Sequence, residues 1–153
     1  MKFKGKTTSD MKPLNAILKR LHNLEDNHVE YGYDSTQHSS GYTLAELAAI
    51  HEYGMYGNPE RDFMYQADIN MQLENTQRIM KNTEEYIYMG GNYVSLLSNI
   101  GKMGVEMIAD TISGGNFEAN STVTIALKGS DRPLIDTGEL QHGAKYWVVK
   151  GDI

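Results

Sequence analysis

Apolar residues recur at helical spacing near the start of the chain. Ser9 or Asp10 can cap a helix whose first turn tolerates Pro13. Five apolar positions then fall on one helical face: Leu14, Ile17, Leu18, Leu21 and Leu24. The pattern predicts a one-sided surface helix that packs on a core and ends between Asn23 and Asn27.

A second helix is predicted from Thr43, where Thr43-Leu44-Ala45-Glu46 has the pattern of a capping box. In such a box the threonine hydroxyl accepts the Glu46 amide proton, and the glutamate reaches back to the Thr43 amide. Gly54 is placed to end this helix in the left-handed conformation. The next stretch, residues 57–64 with Pro59, predicts an extended connector, and residues 59–64 and 113–131 are expected to be exposed loops.

Two further helices are predicted in the second half of the chain. Residues 65–80 carry one apolar register: Ile69, Leu73, Thr76 and Met80. A weaker stretch follows and is interrupted at Gly90-Gly91. The longest predicted helix covers residues 92–113, with Leu97, Ile100 and Met107 on its core face. Gly101 and Gly104 lie inside it, where each costs about 1 kcal/mol relative to alanine, so we expect another backbone to approach closely there.

Alternation typical of a strand occurs at residues 29–34 and again at residues 144–150. Gly32 in the first run suggests a bulge or a close backbone approach. Pairing these two runs as neighbours predicts an α+β fold with a small antiparallel sheet flanked by amphipathic helices, one of them a long helix in the C-terminal half. Residues 1–153 are interpreted as one domain, with residues 1–8 as a flexible tail.

Composition narrows the function classes. The 153 residues include no cysteine, so there is neither a disulfide framework nor a thiolate site. The net charge of −6 does not suit the binding of nucleic-acid phosphates. The chain has no apolar run long enough for a membrane span and no secretory signal, so we expect it to stay in the cytoplasm where it is made. Ten tyrosines and nine methionines fit a surface that meets other chains, or compositional drift.

Candidate enzyme motifs fail on inspection. Asp136-Thr137-Gly138 matches the aspartic-protease triplet, but only fifteen residues follow it, too few for a flap and sheet, and Glu139 adds a like charge. A helix cap explains the triplet better. His51-Glu52 begins a zinc-protease pattern, yet Met55 stands where the second histidine must be. No phosphate-binding loop is present, so the sequence predicts no enzyme, no metal and no cofactor.

Two stretches resemble a known family. Residues 44–54 read Leu-Ala-Glu-Leu-Ala-Ala-Ile-His-Glu-Tyr-Gly and are followed by Pro59 and by Arg61-Asp62-Phe63-Met64. Residues 114–140 include Lys-Gly-Ser-Asp-Arg-Pro-Leu-Ile-Asp-Thr-Gly-x-Leu, with Pro133, Asp136, Thr137 and Gly138. In this order the pattern resembles the tail-completion or neck proteins of long-tailed bacteriophages, also described as head-tail joining or virion morphogenesis proteins. The resemblance covers about two-thirds of the chain.

The chain departs from the family pattern in two places. The family often has Arg-Pro-Phe where this chain has Arg61-Asp62-Phe63, so the proline turn is lost. After the Asp-Thr-Gly-x-Leu motif the family usually continues with a basic residue and Ser-Ile, whereas Gln141-His142-Gly143-Ala144 stand here.

The resemblance implies a structural virion protein of the phage neck, made in the host cytoplasm. Copies form a ring, expected here to be a hexamer or dodecamer, between the head connector and the tail tube or tail terminator. DNA would pass through the ring without sequence-specific binding, and a negative lining would let it slide. Apolar residues in the predicted loops, with one arginine, are the candidate assembly contacts: Arg61, Phe63, Met64 and Phe117. Each of the three apolar side chains could equally tuck back onto its own domain.

An alternative reading is a small dimeric adaptor or regulatory protein, similar to those of toxin–antitoxin systems, with no role in a virion. It would pair through its sheet, and a clean dimer with no larger species would favour it.

Overall fold

The structure, a computed structural model, describes residues 11–115, 117–118, 134–135 and 138–151. Within these residues the elements are, in order, α1 (Lys12–Glu25), β1 (Asn27–Gly32), α2 (Leu44–Glu52), a 3-10 turn (Met55–Gly57), α3 (Phe63–Met89), α4 (Tyr93–Gly114), α5 (Glu139–His142) and β2 (Lys145–Lys150). The predicted tail at residues 1–8, most of the predicted loop at residues 113–131 and Pro133 lie outside the described residues.

Helices α3 and α4 form a hairpin that holds most of the core. Only residues 90–92 separate them, and Gly90 ends α3 with a φ of 94°. The predicted long helix is confirmed, since it begins and ends within one residue of the expected positions. Its buried side chains join residues of α2, α3 and α5 in one cluster: Ala48, Phe63, Ala67, Met71, Met103, Met107, Ile108, Ile112, Leu134, Leu140 and Ala144.

The two strands pair antiparallel, and the predicted α+β fold is confirmed. Pairing runs without interruption from Asn27 opposite Lys150 to Gly32 opposite Lys145. The predicted bulge at Gly32 is therefore wrong, because this glycine forms the last regular pair. The alternative, a close backbone approach, is not seen either, since the nearest atom to a Cβ placed there is the side-chain Cε of Met64, at 3.7 Å. Strand β1 also begins two residues earlier than the alternation indicated, since Asn27 follows directly on the end of α1.

The mid-helix glycines of α4 let the sheet approach, although the groups that approach are tyrosine side chains rather than a backbone. A Cβ atom placed at Gly101 would lie 2.7 Å from the Cβ of Tyr146. One placed at Gly104 would lie 2.5 Å from the ring of Tyr31, the residue paired with Tyr146 across the sheet. The sheet is thus seated on α4 through two aromatic side chains.

Helix α3 is longer than predicted. It runs unbroken for 27 residues, because the weaker stretch before Gly90 continues the same helix. The predicted apolar face is turned to solvent, with Leu73 78% exposed and Met80 65% exposed. A second apolar set packs against the core instead, led by Phe63, Ala67 and Met71, because its small Ala67 allows close packing.

Helix α1 is present as predicted, but it covers its apolar face only in part. No residue of α1 is buried, and Leu14, Leu18 and Leu21 are each 44–46% exposed. The expectation that this face packs on a core is therefore wrong for these three leucines. The residue in the N-cap position is Met11, so neither Ser9 nor Asp10 holds it.

Local end signals of the other helices are mostly confirmed. The Thr43 hydroxyl accepts the Glu46 amide proton at 3.2 Å, and the Thr43 amide donates to the Glu46 carboxylate at 2.8 Å. Gly54 takes the left-handed conformation just after α2, with a φ of 61°. At α5 the N-cap position is occupied by Gly138, the last residue of the predicted Asp136-Thr137-Gly138 cap. Asp136 and Thr137 lie outside the described residues.

Candidate assembly surfaces

Arg61 lies inside the joint between α2 and α3. The residue is only 3% exposed, and its Nε donates to the Glu118 carbonyl at 3.0 Å. Its backbone amide donates to the His51 carbonyl at 2.8 Å, and its Nη1 lies 3.3 Å from His51 Nδ1. Burial lowers the pKa of the guanidinium, and the nearby Glu118 charge partly opposes this shift, yet an arginine stays charged. Arg61 therefore ties α2 to the segment after α4 within one subunit.

Glu52 caps the N-terminus of α3, a role that the sequence did not reveal. Its carboxylate accepts the Met64 amide proton at 2.8 Å and the Tyr65 amide proton at 3.0 Å. The residue in the N-cap position, Asp62, makes no such side-chain bond. A carboxylate at a helix N-terminus satisfies free amides and interacts favourably with the helix dipole. The His51-Glu52 pair, which resembles part of a metal motif in sequence, thus orients one helix on another.

Phe63 belongs to the core of the subunit rather than to an exposed loop. The residue is fully buried, and its ring meets the Tyr33 ring edge-on at a centroid distance of 6.2 Å. The Tyr33 hydroxyl donates to the Leu140 carbonyl at 2.6 Å, and burial raises the pKa of this tyrosine. The loop prediction is wrong for Phe63 because α3 begins at this residue and directs the side chain inward. Neither Phe63 nor Arg61 is accessible to a neighbouring copy.

Met64 and Phe117 are half-buried, and both pack against the core cluster. Met64 lies in the first turn of α3, and Phe117 follows α4. Their partial exposure keeps both residues as candidate contacts. Their role in assembly therefore stays a prediction.

A turn between α2 and α3 presents three large side chains to solvent. Tyr53, Met55 and Tyr56 are exposed, Tyr56 to 79%. The turn is fixed by backbone bonds and by Asn58, whose Nδ2 donates to the Met55 carbonyl at 2.9 Å. Tyr56 itself has a φ of 57°, a conformation that non-glycine residues rarely adopt. A rigid turn with aromatic side chains outward is typical of a contact surface.

Two helices each carry a row of exposed apolar side chains. The α1 stripe consists of Met11, Leu14, Leu18 and Leu21, and the α3 stripe consists of Tyr65, Ile69, Leu73 and Met80. Both follow the spacing of one helical face. The signal for the second stripe was present in the sequence, because α3 has two apolar registers; only the packing of α4 decides which register is left outside.

The described residues offer no site for a metal, since no group of three or more histidine, cysteine or acidic side chains comes together among them. Within the same residues, no helix combines the length and apolar character needed to cross a membrane. Comparisons with protein-family models, with curated proteins and with solved structures found no match for this chain.

Proposed function

We propose that this chain is a structural subunit of the neck of a long-tailed bacteriophage. Copies form a ring that joins the head connector to the tail tube and completes the tail. The resemblance of residues 44–64 and 114–140 to tail-completion proteins supplies the class of function. What supports assembly as the mode of action is one structural observation, the large apolar surface that the subunit leaves uncovered.

That surface is unusual for a protein that works alone. Among the described residues, fifteen large apolar or aromatic side chains are exposed, and most of them lie on α1, on the α2–α3 turn and on α3. Scattered exposed side chains are ordinary, but rows of them on rigid elements mark interaction sites. Covering a leucine-sized side chain fully is worth about 1.5–3 kcal/mol, so covering these rows favours association, although the half-exposed leucines of α1 would gain only part of that amount.

The proposed partners follow from this role. Copies of the chain form the ring, the connector and the tail tube or terminator bind its two ends, and DNA passes through the centre. The net charge of −6 supports a passage that repels phosphates and so does not retain DNA. If the passage repels phosphates, the purified protein should bind no DNA even at low salt. DNA binding that weakens steeply with added salt would contradict a repelling passage.

A phage that lacks the gene tests the neck role directly. We expect such a phage to make filled heads and separate tails that do not join, and the chain supplied in trans should restore particles. An epitope fused to the C-terminus should then be found by electron microscopy between head and tail. Normal particles without the gene, or an epitope elsewhere, would contradict the proposal.

A further inference from the structure

We propose that copies of the chain associate in series, in the same orientation, with the α3 stripe of one copy covering the α1 stripe of the next (a head-to-tail contact between subunits). The contact deepens the proposed function, because it specifies how ring subunits would meet. Its occupant is a second copy of this chain, and three features of the structure argue for that choice: the separation of the two stripes, their charges and their sizes.

The two stripes lie at separate places on one subunit. Helix α1 is held near the C-terminal end of α3, where Arg20 Nη1 donates to the Ile87 carbonyl at 2.8 Å and Asn23 donates to the Tyr86 hydroxyl at 3.0 Å. The α3 stripe occupies the other part of that helix, from Tyr65 to Met80. At a rise of 1.5 Å per residue, Tyr86 lies about 9 Å beyond Met80 and about 32 Å beyond Tyr65 along the helix.

This separation favours a heterologous contact. A two-fold dimer that pairs one stripe with itself would leave the other stripe in water on both copies. A reciprocal two-fold dimer, with two α1–α3 contacts, would cover both stripes, but it stops at two copies and cannot form the proposed ring. A head-to-tail contact covers one stripe of each kind at every junction, and repetition of such a contact closes into a ring when the rotation allows it.

The charges of the two helices are opposite. Helix α1 has three basic residues and one acidic residue, a net charge of +2: Lys12, Lys19, Arg20 and Glu25. The part of α3 that carries its stripe, residues 65–80, has two acidic residues and one basic residue, a net charge of −1: Asp68, Glu74 and Arg78. Opposite charge favours contact between unlike helices and disfavours contact between like ones.

The two stripes are also comparable in size. The eleven residues from Met11 to Leu21 span about 15 Å, and the sixteen residues from Tyr65 to Met80 span about 22 Å. One helix on another covers less than the roughly 800 Å² per partner of a standard interface, so a single junction is weak. In a ring every subunit makes two junctions, and closure holds them together.

The absence of cysteine allows a direct cross-linking test. Leu18→Cys and Leu73→Cys are made as separate full-length proteins, mixed at high concentration and oxidised mildly. We expect a disulfide-linked dimer from the mixture, formed roughly tenfold or more faster than from either variant alone, because a 1.4 kcal/mol preference for the docked arrangement gives that ratio. The matched control replaces Leu18→Cys with Asn99→Cys, a substitution at an exposed position of α4.

Three results would overturn the contact. The double variant Leu18→Cys/Leu73→Cys, oxidised in the same way, should give a ladder of linked species, and a product that stops at the dimer would show the reciprocal two-fold contact. Cross-linking of Leu73→Cys or Leu18→Cys with itself as fast as in the mixture would show a like-with-like interface. Cross-linking of the mixture no faster than the Asn99→Cys control would show that another copy does not cover these stripes. Unfolding curves of each variant confirm that the proteins compared are folded.

The test separates this contact from the neck role, because it uses pure protein without any other virion component. Head-to-tail disulfides in a protein that the phage does not need would keep the contact and reject the neck role. If the phage needs the protein but these disulfides do not form, the contact is rejected and the neck role is kept.

Discussion

At the scale of single residues, Gly101 shows how one missing side chain fixes the distance between helix and sheet. A Cβ there would meet the Cβ of Tyr146, which sits on β2 and cannot retreat without moving the strand. Glycine at this position allows the sheet to pack closely on α4, and this packing offsets the poor helix propensity of glycine.

Gly101→Ala is therefore expected to destabilise the protein by about 1–3 kcal/mol, the usual cost of overpacking a core. Gly114→Ala is the matched control in the same helix, because a Cβ there would meet nothing within 4 Å. We expect the control to be neutral or to stabilise the protein by up to about 1 kcal/mol. Urea unfolding followed by circular dichroism measures both, and equal stabilities of the two variants would contradict the packing described.

Asp34 provides a residue-scale prediction on pH. Its carboxylate accepts from Lys145 Nζ at 2.7 Å, and this bond, followed by those from Thr36, lowers the pKa of Asp34 to about 2. A carboxyl whose pKa is lower in the folded state stabilises the fold above its unfolded pKa, and that contribution is lost as pH falls through the folded pKa.

Wild type should therefore exceed Asp34→Asn in stability at pH 6, and the gap should shrink as the pH falls from about 4 towards 2. Added salt should narrow the gap as well, because the pair is solvent-exposed. Urea midpoints of both proteins across this range give the measurement. If the difference in stability between the two proteins does not change with pH, the bond between Asp34 and Lys145 does not stabilise the folded state.

At the scale of elements, α3 depends on a carboxylate from a different helix. Glu52 of α2 accepts two amide protons at the start of α3, while Asp62 makes no side-chain cap. We expect Glu52→Gln to destabilise the protein by about 0.5–2 kcal/mol, the range for a lost cap.

The control for this change is Glu60→Gln, which removes an exposed carboxylate from the connector before α3. It should alter the free energy of unfolding by no more than about 0.5 kcal/mol. Thermal or urea unfolding compares the two variants, and equal losses for both would argue against capping by Glu52.

Elements whose signals are local could be predicted from the sequence. The capping box at Thr43, the left-handed Gly54 and the bounds of α4 rest on contacts within a few residues, and all three agree with the structure. The face of α3 could not be predicted, because both of its registers are apolar and the choice between them is made by a distant helix. The burial of Phe63 was missed for a related reason, since the start of α3 is set by Glu52 from another element.

At the scale of the whole molecule, the fold class could be predicted because both strands alternate clearly. The sequence shows no other run of this kind with which either strand could pair. Their antiparallel pairing joins the two ends of the described chain. The candidate contacts were harder to predict, since Arg61 and Phe63 turned out to be interior residues. The exposed apolar side chains lie instead on α1, on α3 and on the turn at Tyr56, and the proposed assembly would cover them.

The most direct test of the assembly account is the mass of the purified protein by light scattering, alone and with the candidate head connector. We expect either a ring or a monomer that the connector recruits in a fixed ratio, because each junction is weak and closure or a template must hold the subunits together. A stable dimer that binds no virion component would contradict the neck role and favour a small adaptor or regulatory protein.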